Sequence, residues 1–515
     1  MFSTITSGGL YGIRSRLMQV EVDIARTMPA FDMVGMLSGE VKEARERVRV
    51  ALKNSGIVLP PVHITVNISP ANIRKEGTAY DLPIAVGIMV SLGYIPAEYV
   101  KNTCVIGELG LNGEIKPVKG VLPIVMEARK NGMQRCILPI DNAAEGGVID
   151  GIQIIGVRDF VQIVDYLSKG DNAAIQPTKV YINTIFQVSK AQIEDFEDIV
   201  GQEACKRAAL IAAAGFHHML ISGPPGAGKT MIARRIPGIL PPLTLEESLE
   251  VSSIYSVSGL LDSDRCLITS RPFLSPHHTT TAATLAGGGA TPKPGLFSLC
   301  HRGVLFLDEL PEFSRECIEV MRQPLEEKMI QISRTQGTYL YPADFMLIAA
   351  RNPCPCGFFP DRGRCHCSEK EINRYQNKIS GPIQDRIDLN VTAQMVDIKD
   401  LNNSRGNLDS KTMREIVMRA RMHQKRRFMG TNLHFNSEIS SREISMYCPL
   451  DREETSYMEQ IFHCMNLSAR SYHKILKVAR TIADLEDSEK ILKNHLAEAV
   501  CYRAVDGIKY TGCLK

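Results

Sequence analysis

The sequence predicts an α/β chain in three parts: an α+β domain, a core built on a parallel sheet, and a purely helical domain. Three observations predict it. Strand and helix patterns mix irregularly up to about residue 167. From residue 198 they run helix, strand, turn, helix, followed by further strands, and after about residue 396 only helical periodicity remains. At 515 residues, with 44% hydrophobic and 23% charged residues, the chain is globular in composition and too long for one ordinary core. The expected divisions are 1–168, a linker over 169–190, a core over 191–397 and a helical domain over 398–515.

In the first domain, VHITVNIS (62–69) alternates as a strand, and GEVKEARERVRVALKNSG (39–56) has helical period and ends on glycine. LPIAVGIMVSLGYIP (82–96) is too short to span a bilayer and is broken by glycine and proline, so no membrane span is expected. SKGDNAAIQPTKVYIN (168–183) has turn formers and no period, which marks the linker. The start, MFSTITSGGLYG, lacks a basic and then apolar leader, and the fourteen cysteines are diluted through a long chain, so a cytoplasmic protein with reduced thiols is expected. A net charge of +3 is too small to imply nucleic acid by itself, so any basic surface must be local.

The core opens with HMLISGPPGAGKTMIARRI (218–236): an apolar strand, a tight turn and a helical pattern. Gly223, Pro224, Pro225, Gly226, Ala227, Gly228, Lys229 and Thr230 fit a P-loop. The glycines let successive N–H groups face one concavity, Lys229 reaches the terminal phosphates, and the Thr230 hydroxyl holds Mg²⁺. A polyphosphate nucleotide, ATP with Mg²⁺, is the expected ligand. In RGVLFLDELPEF an apolar strand ends in Asp308, placed to hold Mg²⁺ through water, and Glu309, placed to polarise the attacking water. The next strand ends AARNP, where Asn352 would orient that water.

On these motifs the chain resembles the AAA+ ATPases, and specifically the magnesium-chelatase-like YifB/ComM family, over essentially its whole length. DIVGQEACKRAALIAAAG resembles that family's adenine-pocket entry, LSPHHTTTAATLAGGG its helix-2 insert, and SGPIQDRIDL the segment that carries its arginine finger. The resemblance implies that Arg386 is this finger, that Arg470 is the sensor-2 arginine of the helical lid with Arg480 as the alternative, and that subunits form a ring, usually a hexamer, sharing each ATP between neighbours. The first domain resembles the Lon-protease fold through KEGTAYDLPIAVGIMVSLG (75–93) and VIGELGLNGEIKPVKGVLPIVMEARKNGMQRCILP (105–139). No serine stands beside Asp81, and the dyad lysine falls near Leu122, with Lys119 three residues earlier, so a degenerate scaffold is expected.

RNPCPCGFFPDRGRCHCSEKE brings Cys354, Cys356, Cys365 and Cys367 into one short segment. That is either a tetrahedral Zn²⁺ site or a set of reduced thiols around a loop. His277 and His278 lack further suitably spaced ligands, so exposure or loop packing is expected. EEKMIQISRTQGTYLYPADF alternates as a hairpin with Arg334 near its tip, where similar ring helicases grip a phosphate backbone, so Arg334 is the candidate DNA contact. Arg414, Arg419, Arg421, Lys425, Arg426 and Arg427 lie on one helical pattern, as a solvated face or a second nucleic-acid surface. Together these features favour a DNA motor for branch migration in recombination or transformation. The alternative is a protein-remodelling or metal-insertion ATPase.

Overall fold

The computed structural model describes residues 1–169, 175–182, 185–186, 194–261, 266–289, 292–334, 337–395 and 408–503. The expected linker over 169–190 lies partly outside these residues, and the expected junction at 397/398 lies wholly outside them.

The chain begins with two long strands, Phe2–Tyr11 and Arg14–Ala25, paired antiparallel from Phe2↔Asp23 to Tyr11↔Arg14. Gly12, at φ +64°, opens the two-residue turn between them, a conformation suited to the twist of a hairpin. They lie inside a mixed seven-stranded sheet. Its core face carries Ile5, Val20, Val22 and Ile24, packed on the helices Gly39–Asn54 and Asp81–Ser91. Helix Gly39–Asn54 starts where the Ser38 side chain accepts from Val41 N and buries Val41, Ala44, Val48 and Ala51, one face at helical spacing. Helix Asp81–Ser91, which overlaps the apolar stretch 82–96 read above only as too short for a membrane span, is almost wholly buried and apolar between Asp81 and Ser91.

The second sheet has five parallel strands in the order Phe273–Leu274, Val304–Leu307, Met346–Arg351, Met219–Ser222, Leu389–Thr392. Its central strands are apolar on both faces because helices cover both. On one face lies the alanine-rich helix Glu203–Gly215, and the helices Ser410–Arg427 and Ala469–Leu485 pack on it within the same core. From Ala469–Leu485, Ile475, Leu476, Val478 and Ile482 are buried, each contributing about 2 kcal/mol relative to exposure. Among the described residues after 395 there are only helices and turns.

Among the described residues the first domain meets the core at two places. Glu145 accepts a short hydrogen bond from Ser256, while Gly120 N donates to Ser256 O at 3.1 Å. At the other, Tyr11 stacks on Tyr339 with ring centroids 4.9 Å apart.

Candidate nucleotide site and distal arginines

Gly226 and Gly228 both adopt φ +79°, which a side chain would strain, and Gly223 approaches Ala393 so closely that a Cβ would stand 2.6 Å from its carbonyl oxygen. The tight turn these glycines permit starts the helix Lys229–Ile239 with its unpaired N–H groups facing the loop, a setting that favours an anion. Lys229 is buried, and its Nζ donates to Gly223 O at 2.7 Å, Pro224 O at 2.9 Å and Asn352 Oδ1 at 3.0 Å. Desolvation holds this ammonium below the usual lysine range, against the opposing charges of Asp308 and Glu309. All three donors of the ammonium thus rest on neutral oxygens that phosphate oxygens can replace.

Thr230 Oγ1 donates to Asp308 Oδ2 at 2.8 Å. Two hard oxygen donors side by side at the helix start fit Mg²⁺, which takes few protein ligands and keeps water and phosphate for the rest. Asp308 and Asn352 follow neighbouring strands: Leu307 pairs with Ala349, and Arg351 with Ser222, so both stand level with the P-loop at the carboxyl ends of the sheet. Glu309, next in the chain, has φ +52° and a half-exposed side chain. The structure therefore brings Lys229 to Asn352 and Thr230 to Asp308, with Glu309 beside them.

Arg386 lies elsewhere. It precedes the strand Leu389–Thr392, which runs parallel to Met219–Ser222 in the register Met219↔Leu389 and Ser222↔Thr392. The P-loop leaves the carboxyl end of this pair, whereas Arg386 enters at the amino end. Arg386 is 7% exposed, ion-paired to Glu326 and bonded to Pro382 O, and its Nε has no hydrogen-bond partner among the described residues. Arg470 reaches the same carboxylate, Nη2 to Glu326 Oε1 at 2.7 Å. Both arginines, with Lys474 and Lys477, line a cavity of about 340 Å³. Arg480 is buried inside its own domain, bonded to Asp484 and to the carbonyls of Ser488 and Glu489. Of the two sensor-2 candidates, Arg470 alone stands beside Arg386.

Arg334 ends the strand Met329–Arg334, opposite Gly337 in the hairpin; the turn residues 335–336 lie outside the described residues. It is exposed, with Nε 3.4 Å from Gly289 O in the neighbouring insert. The basic run on Ser410–Arg427, left open above as a solvated face or a second nucleic-acid surface, does not present its cations as a unit. Arg414 donates to Gly238 O, Arg421 lies 3.8 Å over the Phe435 ring, and Arg427 pairs with Asp484. These three cations are committed to packing the helix, leaving Arg419, Lys425 and Arg426 exposed. In the first domain, Leu122 is fully buried and Asp81 pairs with Arg47 at 2.7 Å, so the lysine position of a Ser-Lys dyad is apolar core.

Two neighbours of the site were not foreseen from sequence. Glu326 gave no signal beyond its charge. The His277 and His278 rings lie 4.0 Å apart, tilted by 36°, as loop packing predicts, but His278 Nδ1 also lies 4.0 Å from Glu309 Oε2.

Comparison with known proteins accords with this geometry. Residues 195–401 match the family described as Magnesium chelatase, subunit ChlI; residues 20–142 match Subunit ChlI of Mg-chelatase, and residues 407–503 match its C-terminal domain. The chain is 39% identical over 505 residues to the uncharacterized protein YifB of Escherichia coli, covering 98% of this chain and 97% of the relative. It is 39% identical over 497 residues to the competence protein ComM of Haemophilus influenzae, covering 96% of each. Lon protease 2 of Bacillus subtilis is 30% identical over 143 residues, 28% of this chain and 25% of that protein. Matched in all three parts and along nearly its whole length, the chain belongs to the magnesium-chelatase-like YifB/ComM family of AAA+ proteins.

Proposed function

We propose that the protein is a cytoplasmic ATPase that assembles as a hexameric ring, as the family resemblance implies, and uses ATP hydrolysis to move on DNA, driving branch migration or strand separation in recombination or natural transformation. The observation that carries the ATPase reading is the pairing of Lys229 with Asn352 and of Thr230 with Asp308 at adjacent strand ends. Lys229 binds the terminal phosphates, Asn352 orients the attacking water, and Glu309 accepts its proton. Thr230 and Asp308 would hold Mg²⁺, which when bound neutralises charge on the phosphate oxygens.

The distal placement of Arg386 and Arg470 supports a shared site. At the far end of the sheet from their own P-loop, they would face the triphosphate of a neighbouring subunit and stabilise charge there. A head-to-tail contact of this kind closes into a ring. The DNA reading rests on the exposed Arg334 hairpin and on the printed name of the Haemophilus influenzae relative, a competence protein. ATPase assays with single-stranded, duplex and branched DNA, beside a control without DNA, test it. Stimulation by DNA is the expected result, and indifference of an assembled ring to every DNA form favours the protein-remodelling alternative.

A further inference from the structure

The four cysteines that follow Asn352 form a site apart from the nucleotide machinery. Their Sγ atoms all lie within 4.8 Å of one another. Cys354 stands 3.3 Å from Cys356 and 3.7 Å from Cys365, and Cys356 stands 3.6 Å from Cys365. Four thiolates around one Zn²⁺, each bonded at about 2.3 Å, stand roughly 3.8 Å from one another, close to these separations. A disulfide would need about 2.05 Å, and all four thiols are free.

The backbone adds a donor to the cluster: Phe359 N–H donates to Cys354 Sγ at 3.4 Å, which suits a thiolate held around a cation. The loop has little else to hold it. Its buried apolar cluster consists of Cys354, Cys365 and Ile372, with Phe358 and Phe359 only partly covered. So small a satellite core needs a staple.

The loop also touches the ATPase site. Gly357, at φ +85°, packs so tightly on the P-loop that a Cβ would lie 2.5 Å from Pro225 Cδ. The helix Glu369–Gln376 that follows the cysteines holds the other side: Gln376 donates to Pro353 O, next to Asn352, at 3.2 Å. We propose that Cys354, Cys356, Cys365 and Cys367 bind one structural Zn²⁺, which fixes this loop between the P-loop at Pro225 and the segment carrying Asn352. With four protein ligands the ion has no open position, so its role is to hold the loop rather than to react. The metal site stands on its own geometry and does not depend on the DNA reading.

The test begins with protein purified under reducing conditions without added metal. Elemental analysis should find one zinc per chain, and blocking the thiols of the native protein should release that zinc to a chromogenic chelator. Replacement by Co²⁺ should give the visible absorption of a tetrahedral all-thiolate ion. The double variant Cys356→Ser, Cys367→Ser changes the two partly exposed ligands, and it should lose the zinc and gain protease cleavage within 354–367. Wild-type protein that stays without stoichiometric zinc even after reconstitution with Zn²⁺, and gives no all-thiolate Co²⁺ spectrum, overturns the proposal whether or not the variant folds.

Discussion

Arg386 and Arg470, one before the last strand of the sheet and the other in the C-terminal helical domain, close on the same carboxylate, that of Glu326. Glu326 is held below the usual carboxylate range, first by the hydrogen bond from Arg470 and then by the charge of Arg386. The carboxylate occupies a place where a phosphate of like charge would make the same bonds. The orphaned, buried Nε of Arg386 leaves a further donor for such an anion. Within one subunit, Glu326 pairs with both arginines but leaves the Arg386 Nε without a partner among the described residues.

If these arginines act on a neighbour's nucleotide, Arg386→Ala should lower kcat by about 10³-fold while leaving nucleotide binding nearly intact. An equal mixture of Arg386→Ala and Lys229→Ala subunits should then recover activity, because about a quarter of randomly formed head-to-tail interfaces combine an intact P-loop with an intact arginine. Steady-state ATPase rates of the mixture and of each variant alone measure this. No recovery in rings shown to be mixed argues against a shared site.

Within the P-loop site, Lys229→Ala and Glu309→Gln should separate binding from chemistry. Loss of the buried ammonium removes its contacts to phosphate and should abolish or greatly weaken nucleotide binding. Glu309→Gln keeps those contacts and should retain ATP while hydrolysing it at least about 10²-fold more slowly. Nucleotide-binding titrations and single-turnover hydrolysis on each variant distinguish the two effects. Normal turnover by Glu309→Gln would remove Glu309 from the proposed mechanism.

How much of this was legible in the sequence follows from the range of each interaction. The P-loop lies within one strand-turn-helix unit, and Asp308 and Asn352 each end an apolar run, so local pattern located all of them. The choice between Arg470 and Arg480 was not local. Both lie on the helix Ala469–Leu485; Arg480 meets Asp484 one turn on in the same helix, but only tertiary packing brings Arg470 to Glu326. The basic helix stayed open for the same reason: a count of charges cannot show that Arg427 has Asp484 or that Arg421 has the Phe435 ring. The cysteine spacing raised a metal site without deciding it, because convergence of the sulfurs depends on turns between the pairs.

Acid stability offers a separate check on the core. Desolvation pulls the His218 imidazole from 6.5 down to about 4, while its Nδ1 accepts from Leu347 N at 3.1 Å. The unfolded chain takes up this proton near its ordinary value of 6.5, and the folded chain only near 4. The contribution is therefore complete above pH 6.5 and is lost as pH falls toward 4. His218→Asn keeps an acceptor for Leu347 and does not titrate, so its melting temperature should fall less than that of the parent over this interval. Equal slopes in thermal melts across the range would assign the acid sensitivity to other groups.

The hairpin carrying Arg334 is where the DNA reading is most exposed to failure. Among the described residues its side chain has only weak contacts, to Gly289 O and Ser333 O, both at 3.4 Å, so its removal should cost the fold little. Arg334→Ala should keep basal ATPase activity, because the hairpin contributes nothing to the contacts of Lys229, Thr230 or Asn352. It should lose stimulation by DNA and strand displacement. Each phosphate contact removed releases about one counterion fewer, so the slope of log affinity against log salt should become shallower by about 1 for each Arg334 that engages. The weakening should be similar for unrelated sequences, since phosphate contacts position the protein without reading bases. If DNA binds the parent and the variant with the same affinity and the same salt slope, Arg334 is not the contact, and the exposed cations Arg419, Lys425 and Arg426 become the next residues to replace.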